Sequence, residues 1–301
     1  MAELSRYRGR LAPTPTGLLH VGHACTFWTA YERARAAGGT LLLRIEDLDP
    51  DRCRPEFTTA VFDDLSWLGL EWQEGPDLGG AYGPYTQSQR LAYYREIWQQ
   101  LYAAGVIYPS PHSRKDVDLA LLAPHDGPEP TMGDADPAAG DGAQAEEREP
   151  IFPASLRPAA MPGPEEWSDP GQVNWRFRVP DGDAIRFVDQ RMGEICRVSG
   201  VDFGDFLVWR RDGFPSYELA VVADDHAMQI SEVVRGEDLL TSTARQLLLY
   251  RALAWEPPQF FHCPLVRDAA GRRLAKRSGA VSLRTLRAAG QSPEDLRAGW
   301  Q

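Results

Sequence analysis

The sequence predicts an α/β fold with a doubly wound parallel sheet, and three observations carry that prediction. A strand–loop–helix–strand unit opens the chain, the second strand of that unit is apolar along nearly its whole length, and strands and a helix return after a long polar interruption.

Tyr7–Ala12 reads as a short strand. From about His20 the apolar positions Val21, Ala24, Phe27, Trp28 and Tyr31 recur at helical spacing, until Gly38-Gly39 ends the run. Thr40–Ile45 is near-continuously apolar, as a strand covered on both faces must be. Pro55 opens a helix with Phe57, Val61, Leu65 and Leu68 on one face and Gly69 beyond its end. Gln89–Ala104 is a third helix, with Leu91, Tyr94, Ile97, Trp98 and Leu101 on one side, and Val106–Tyr108 is a short strand.

The composition then shifts. Pro124–Pro150 is mostly Ala, Gly, Pro, Asp and Glu and reads as a mobile surface loop, with too little to bury to offset its ordering entropy. Val173, Trp175, Phe177 and Val179 alternate as in a strand, and Ala184–Val188 is another. Asp205–Arg211 and Tyr217–Val222 read as adjacent strands around Asp212-Gly213. Ile230–Val234 is a further strand, Ser242–Leu253 a helix, and a basic loop at Arg272–Ser278 precedes a short helical tail.

Apolar residues make up 43% of the chain and charged residues 25%, ordinary for a soluble globular protein. No apolar run approaches the roughly 18 residues a membrane-spanning helix needs. The opening MAELSRYRGR lacks a secretory core, so a cytoplasmic protein is expected. Cys25, Cys53, Cys196 and Cys263 have no metal-like spacing and read as reduced packing residues. A net charge of −11 would argue against a nucleic-acid partner, but Asp116–Asp169 alone carries −11 and the rest is neutral, so bulk charge excludes no polyanion.

Five stretches carry candidate chemistry. In Arg10–His23, a Pro/Thr/Gly loop leads into a helix whose first turn offers unpaired N–H groups, an anion site. His20 and His23, three apart, share a helix face where both imidazoles can donate to phosphate oxygens. Arg44–Asp49 (RIEDLD) lies at the carboxyl end of the second strand, the edge where open parallel sheets bind ligands. Glu46 can hold an ammonium there, whereas ordinary strand-exit turns account for Asp47 and Asp49 equally well. Ser216–His226 reads as a buried strand ending in an acidic turn. Val234–Leu240 is a strand exit that presents Arg235. Arg10 and Arg235 against Glu46 suit a zwitterion with an extra carboxylate, since a guanidinium binds carboxylate bidentately. Finally, Arg273–Ser278 (RLAKRS) between Gly271 and Gly279 is a loop whose lysine can swing onto departing phosphates.

In this order the stretches resemble the class I glutamyl/glutaminyl-tRNA synthetase family: HVGH is similar to its HIGH motif, RIEDLD, YELAVVADDH and VRGEDLLTSTARQLLLYRAL to its glutamate-site elements, and RLAKR to its KMSKS loop. The resemblance spans nearly everything except about Asp116–Pro170. It implies a Rossmann-like doubly wound catalytic domain with an inserted acceptor-type subdomain. The halves fall at 1–108 and 201–264, the insertion with its acidic loop at 109–200, and the KMSKS-like loop with a short C-terminal helical tail at 265–301. It also implies residue roles. Arg10, Leu11, Ala12, Pro13, Thr14, Glu46, Tyr217 and Arg235 bind L-glutamate, with Glu46 on the ammonium. His20, Gly22, His23 and Lys276 bind ATP, and His20, His23 and Lys276 act in catalysis as the glutamate carboxylate attacks the α-phosphorus. Mg²⁺ accompanies the ATP.

Three departures qualify the resemblance. Many members hold zinc in the insertion through a C-x-C pair and later Tyr and Cys; here those positions are Ser110, His112, Phe152 and Leu156, and a lone imidazole cannot build a four-ligand site, so no zinc is expected. In the KMSKS-like loop Arg273, Leu274, Ala275, Lys276 and Arg277, the first Lys and the Ser of the KLSKR pattern are replaced by Arg273 and Ala275. Glu218 stands where the short branch often has Gln, and on a strand it would face away from Tyr217.

Only Gly279–Gln301 follow the lysine loop, so the long anticodon-binding domain of a full glutamyl-tRNA synthetase is expected to be lacking. That shortness, with Tyr108–Asp116 as the start of the insertion, resembles the branch that activates glutamate with ATP and transfers it to the queuosine base of tRNA(Asp). A monomer is expected. Two alternatives stay open: a short ligase charging a tRNA 3′ end, and a non-catalytic tRNA-binding paralogue, motivated by the zinc-ligand and lysine-loop changes.

Overall fold

A computed structural model describes residues 7–112, 115–117, 151–163, 166–266, 281–298 and 300. The expected loop at Pro124–Pro150 and the lysine loop with Arg273, Leu274, Ala275, Lys276 and Arg277 lie outside the described residues.

Strand β1 (Arg8–Leu11) runs parallel to β2 (Thr40–Leu43), in register from Arg8↔Thr40 to Leu11↔Leu43, with α1 (Val21–Ala36) crossing between them. The turn after α1 needs its two glycines: Gly38 has a φ of 58°, and a Cβ on Gly39 would lie 2.4 Å from the Tyr7 carbonyl. A second such unit follows, in which β8 (Glu232–Gly236) lies parallel to β9 (Gln259–Cys263) with α5 (Leu240–Ala252) between them. The Ser231 backbone N–H donates to the Arg8 carbonyl at 2.9 Å and seats β8 beside β1. Beyond β9 come β5 (Ala184–Asp189), parallel at Asp189↔Phe260, and its antiparallel hairpin partner β6 (Gly193–Val198).

Both faces of this sheet are covered. Leu41 and Leu43 pack with Leu11, Val61, Leu65 and Leu283 under α1 and α2 (Pro55–Trp67), while Leu42 packs with Met228, Val233 and Phe260 on the opposite side. The alternation of a strand thus sends successive leucines into two cores, which is why TLLL carries no polar residue between them. The tail helices α6 (Leu283–Ala288) and α7 (Pro293–Ala298) bury Leu283 and Leu296 in the first core.

A smaller antiparallel sheet joins β3 (Ile107–Ser110), β4 (Asn174–Phe177) and β7 (Phe206–Trp209). It packs on α3 (Leu91–Ala103) through an aromatic cluster: Trp175 meets Trp98 edge-on at 4.8 Å and Trp167 at 5.3 Å. The four cysteines are free thiols.

The structure departs from the sequence reading in three places. Tyr217–Val222 is no strand; Tyr217–Ala227 is helix α4, capped by the Ser216 hydroxyl accepting from the Leu219 N–H. Every residue from Glu218 to Asp225 is buried, so its apolar run has no exposed face to reveal helical period, and such a run cannot be told from a buried strand. Consequently Glu218 does not point away from Tyr217 as a strand neighbour would. It turns to α5, where its carboxylate accepts from Ser242 Oγ at 2.8 Å and Gln246 Nε2 at 2.9 Å. Strands β6 and β9 were not anticipated. Hydrogen bonding also cuts across the 109–200 and 201–264 blocks: β5 and β6 join the large sheet, whereas β7 pairs with β4.

Candidate active site

A cavity of about 530 Å³ opens at the carboxyl ends of β1, β2, β8 and β9, the edge where a parallel sheet leaves its strand exits uncovered. The exit of β1 supplies Arg10, Ala12, Pro13 and Thr14, the exit of β2 Glu46, the exit of β8 Val234 and Arg235, the exit of β9 Pro264, and the first turn of α4 Tyr217. The loop after β1 is drawn to Glu46 by its backbone: the Arg44 N–H donates to the Leu11 carbonyl at 2.8 Å and the Glu46 N–H to the Pro13 carbonyl at 3.1 Å. Leu11, expected among the glutamate-site residues, does not line the cavity; its side chain is fully buried in the core because strand alternation turns it away from Arg10.

The charged groups at the inner end are buried and held from behind. Arg10 donates through Nη1 to the Val234 carbonyl at 2.9 Å and lies 3.5 Å from Asp225 Oδ1. Glu46 receives Arg44 on one oxygen only, Oε1, at 2.9 Å. Burial pushes the Glu46 carboxyl above its ordinary range, and the Arg44 and Arg10 guanidinia oppose that rise. Arg44 itself is wholly buried and donates to Asp225 Oδ1 at 2.7 Å, so one carboxylate ties Arg10 and Arg44 together. Asp224 beside it accepts from Arg90 at 2.6 Å, Gln87 at 2.8 Å and Tyr94 at 2.8 Å. Arg235 donates to Thr243 Oγ1 at 2.7 Å, while its buried Nη1 has no hydrogen-bond partner among the described residues. Two guanidinia and a carboxylate with an open oxygen therefore converge on one space.

At the other end, α1 begins with an unusual cap. His20 Nδ1 accepts from the Gly22 N–H at 3.1 Å, and His23 Nδ1 accepts from the His20 N–H at 3.2 Å, a capping box made from two imidazoles tilted at 31° with centroids 3.8 Å apart. With both Nδ1 atoms accepting, each neutral ring carries its proton on Nε2. Gly22 permits this packing, since a Cβ there would lie 3.0 Å from His20 Cε1. The chain on either side of the lysine loop reaches the same place: Val266 lines the cavity, and Ser282 forms a bridge with His20.

The remaining expected positions separate. Asp49 serves a local turn, pairing with Arg52 at 2.6 Å, whereas Asp47 reaches across the chain and accepts from the Ser88 N–H at 2.8 Å and its hydroxyl at 2.7 Å. In the insertion, the buried Phe152 ring lies under the Arg176 guanidinium at 4.0 Å and 6.4 Å from the His112 ring, and Ser110 is buried at the end of β3. Among the described residues no group of three or more His, Cys, Asp or Glu could hold a metal ion, and no helix is long and apolar enough to cross a membrane.

Asp225, Arg44 and Thr243 were not assigned roles from sequence. Arg44 and Asp225 fell inside stretches already singled out, and a buried strand-exit Arg beside a paired Asp-Asp is a signal that could have found them.

A model of the catalytic domain of class I tRNA synthetases (E and Q) matches residues 6–117 and 164–300. A glutamyl-Q tRNA(Asp) synthetase of Nitratidesulfovibrio vulgaris is 43% identical over 94% of this chain and 82% of its own length. Another, from Symbiobacterium thermophilum, is 44% identical over 96% of this chain and 83% of its own. A glutamate–tRNA ligase of Symbiobacterium thermophilum is 37% identical over 96% of this chain but only 56% of its own length. Among solved structures, a glutamate tRNA ligase from Elizabethkingia meningosepticum in complex with its amino acid superposes with a TM-score of 0.70 at 28% identity, covering 91% of this chain and 52% of that one.

Proposed function

Because this chain belongs to the class I tRNA synthetases of the glutamate and glutamine type, we propose that it activates L-glutamate with ATP and transfers it to the queuosine base of tRNA(Asp). The observation that carries this reading is the convergence of buried Arg10, Arg235 and Glu46 beside an imidazole-capped helix N-terminus.

Glutamate enters with its ammonium on the open oxygen of Glu46 and its carboxylates on Arg10 and Arg235, with Tyr217 and the Ala12–Thr14 backbone closing the pocket. One carboxylate oxygen attacks the α-phosphorus of ATP, forming the new P–O bond as the bond to pyrophosphate breaks. The Nε2–H groups of His20 and His23, with the N–H groups of the α1 cap near Gly22, stabilise the charge on the phosphates. Lys276 stabilises the departing pyrophosphate; the flanking residues Val266 and Ser282, beside the cavity and His20, support that assignment. Magnesium arrives with ATP as part of that substrate. The acceptor then attacks the glutamyl carbonyl and AMP leaves. Zinc has no part in this scheme, because only His112 among Ser110, His112, Phe152 and Leu156 offers a customary ligand and Phe152 packs under Arg176 instead.

The choice of tRNA(Asp) over a tRNA 3′ end rests on the two relatives matched along most of their own length. Transfer of labelled glutamate to tRNA(Asp) with and without queuosine, and to tRNA(Glu), tests it. Label only on queuosine-containing tRNA(Asp) is expected; equal labelling of the queuosine-free form, or labelling of tRNA(Glu), would refute the acceptor.

A further inference from the structure

Arg235 is the glutamate-site residue with the barest setting, since its neighbours on β8 are apolar and no carboxylate pairs with it among the described residues. What fixes its plane comes from β9 and α5, with β5 behind them. Its Nε donates to His262 Nε2 at 3.4 Å and its Nη2 to Thr243 Oγ1 at 2.7 Å, which leaves Nη1 as the nitrogen without a partner. His262 is fully buried on β9, and Asp189 Oδ2 lies 2.8 Å from its Nδ1 and accepts its backbone N–H at 3.0 Å. Asp189 ends β5 and is anchored in turn, its Oδ1 accepting the N–H groups of Arg191 at 3.0 Å and Met192 at 2.9 Å.

We propose that Asp189 and His262 are positioning residues for Arg235: the Asp189 carboxylate holds the His262 proton on Nδ1, and the bare Nε2 then accepts Arg235 Nε and aims Nη1 into the cavity. The proton placement follows from the partners: Asp189 can only accept at Nδ1, Arg235 can only donate, and the Thr243 hydroxyl, 2.9 Å from Nε2, donates to a bare Nε2. A proton on Nε2 instead would leave Nδ1 bare against the Asp189 carboxylate and set an N–H against Arg235 Nε. Thr243, whose hydroxyl lies 2.9 Å from Nε2 and 3.0 Å from the Leu239 carbonyl, accepts Nη2 and fixes the second edge of the fork. The ring is neutral at working pH: burial, then the neighbouring Arg235 charge, press His262 down to about 4, against the opposing pull of Asp189. The chain of contacts makes the aim of a guanidinium on β8 depend on a carboxylate at the end of β5. It is therefore a specificity device for the carboxylate that Arg235 receives, and it rests on the glutamate-site reading above.

The test compares His262→Leu, His262→Gln and Arg235→Ala by glutamate-dependent ATP–pyrophosphate exchange in the full chain, with thermal midpoints taken alongside. His262→Leu is expected to raise KM for glutamate roughly tenfold to a hundredfold, the loss of one charge-assisted bond, with KM for ATP within about twofold. His262→Gln, whose amide oxygen can replace Nε2 as acceptor, is expected to recover most of that loss. A folded His262→Leu with unchanged KM for glutamate, while Arg235→Ala loses glutamate use, overturns the proposal and leaves the site reading intact. If Arg235→Ala keeps normal glutamate use, both fall together. Should His262→Leu not fold, ¹⁵N shifts of the His262 ring in the wild-type chain decide: a protonated Nδ1 with bare Nε2 is expected, and a proton on Nε2 overturns the proposal.

Discussion

The two ends of the cavity are built on different principles. At the proposed amino-acid end, Arg10, Glu46 and Arg235 are buried, and each is held by groups behind it: Asp225 and the Val234 carbonyl, Arg44, and Thr243 with His262. At the proposed phosphate end, His20 and His23 are half-buried and held by backbone bonds within a single helix cap. A small zwitterion must be told apart from close relatives by charges that cannot reorient, so its pocket is fixed by long-range buried contacts. Phosphates are recognised by charge and N–H direction, which a helix N-terminus supplies locally.

The contrast is broken or sharpened by substitution, taking the largest effect first. Arg235→Ala is expected to abolish glutamate use, lowering kcat/KM in exchange by about 10³-fold or more, because the substrate carboxylate is left buried without its fork. Lys276→Ala is expected to lower kcat by about 10²-fold while KM for glutamate moves only a few-fold, the signature of charge stabilised in the transition state. A loss confined to KM would place that lysine at the amino-acid end. Gly22→Ala, whose methyl meets the His20 ring at 3.0 Å, is expected to cut kcat by about tenfold with glutamate KM unchanged.

The smallest effect lies where α2 meets the tail that follows the lysine loop. Burial raises the Asp64 carboxyl on α2 to about 6, against Arg284 and Arg287 of α6, and its Oδ2 has no hydrogen-bond partner among the described residues. The folded state therefore binds this proton more tightly than the unfolded chain, so stability from this group is full below about pH 4 and is lost as pH rises through about 6. Asp64→Asn is expected to raise the thermal midpoint by a few degrees at pH 8 and by nothing near pH 4, with exchange unaffected. A gain at pH 4 equal to that at pH 8 would contradict the assignment.

Much of this site was legible in the sequence because its parts sit at strand exits with local signatures. A Pro-rich loop before a helix marks His20 and His23, and a carboxylate after an apolar run marks Glu46. What was not legible depends on packing between distant segments. Glu218–Asp225 is buried on every side, so its helical period was invisible and its two aspartates looked like a turn instead of anchors for Arg10, Arg44 and Arg90. His262 is a lone histidine in a short apolar strand, and only the pairing of β5 with β9 brings Asp189 to it. A motif names consecutive residues, while a strand sends them to opposite faces, and the Leu11 side chain turns away from the cavity.

The central claim is that the amino-acid end is complete within this chain. Glutamate-dependent exchange of pyrophosphate into ATP, measured with no tRNA present, tests it most directly. The account predicts exchange with glutamate and little with glutamine or aspartate; exchange that is absent until tRNA is added, or absent altogether, would contradict it.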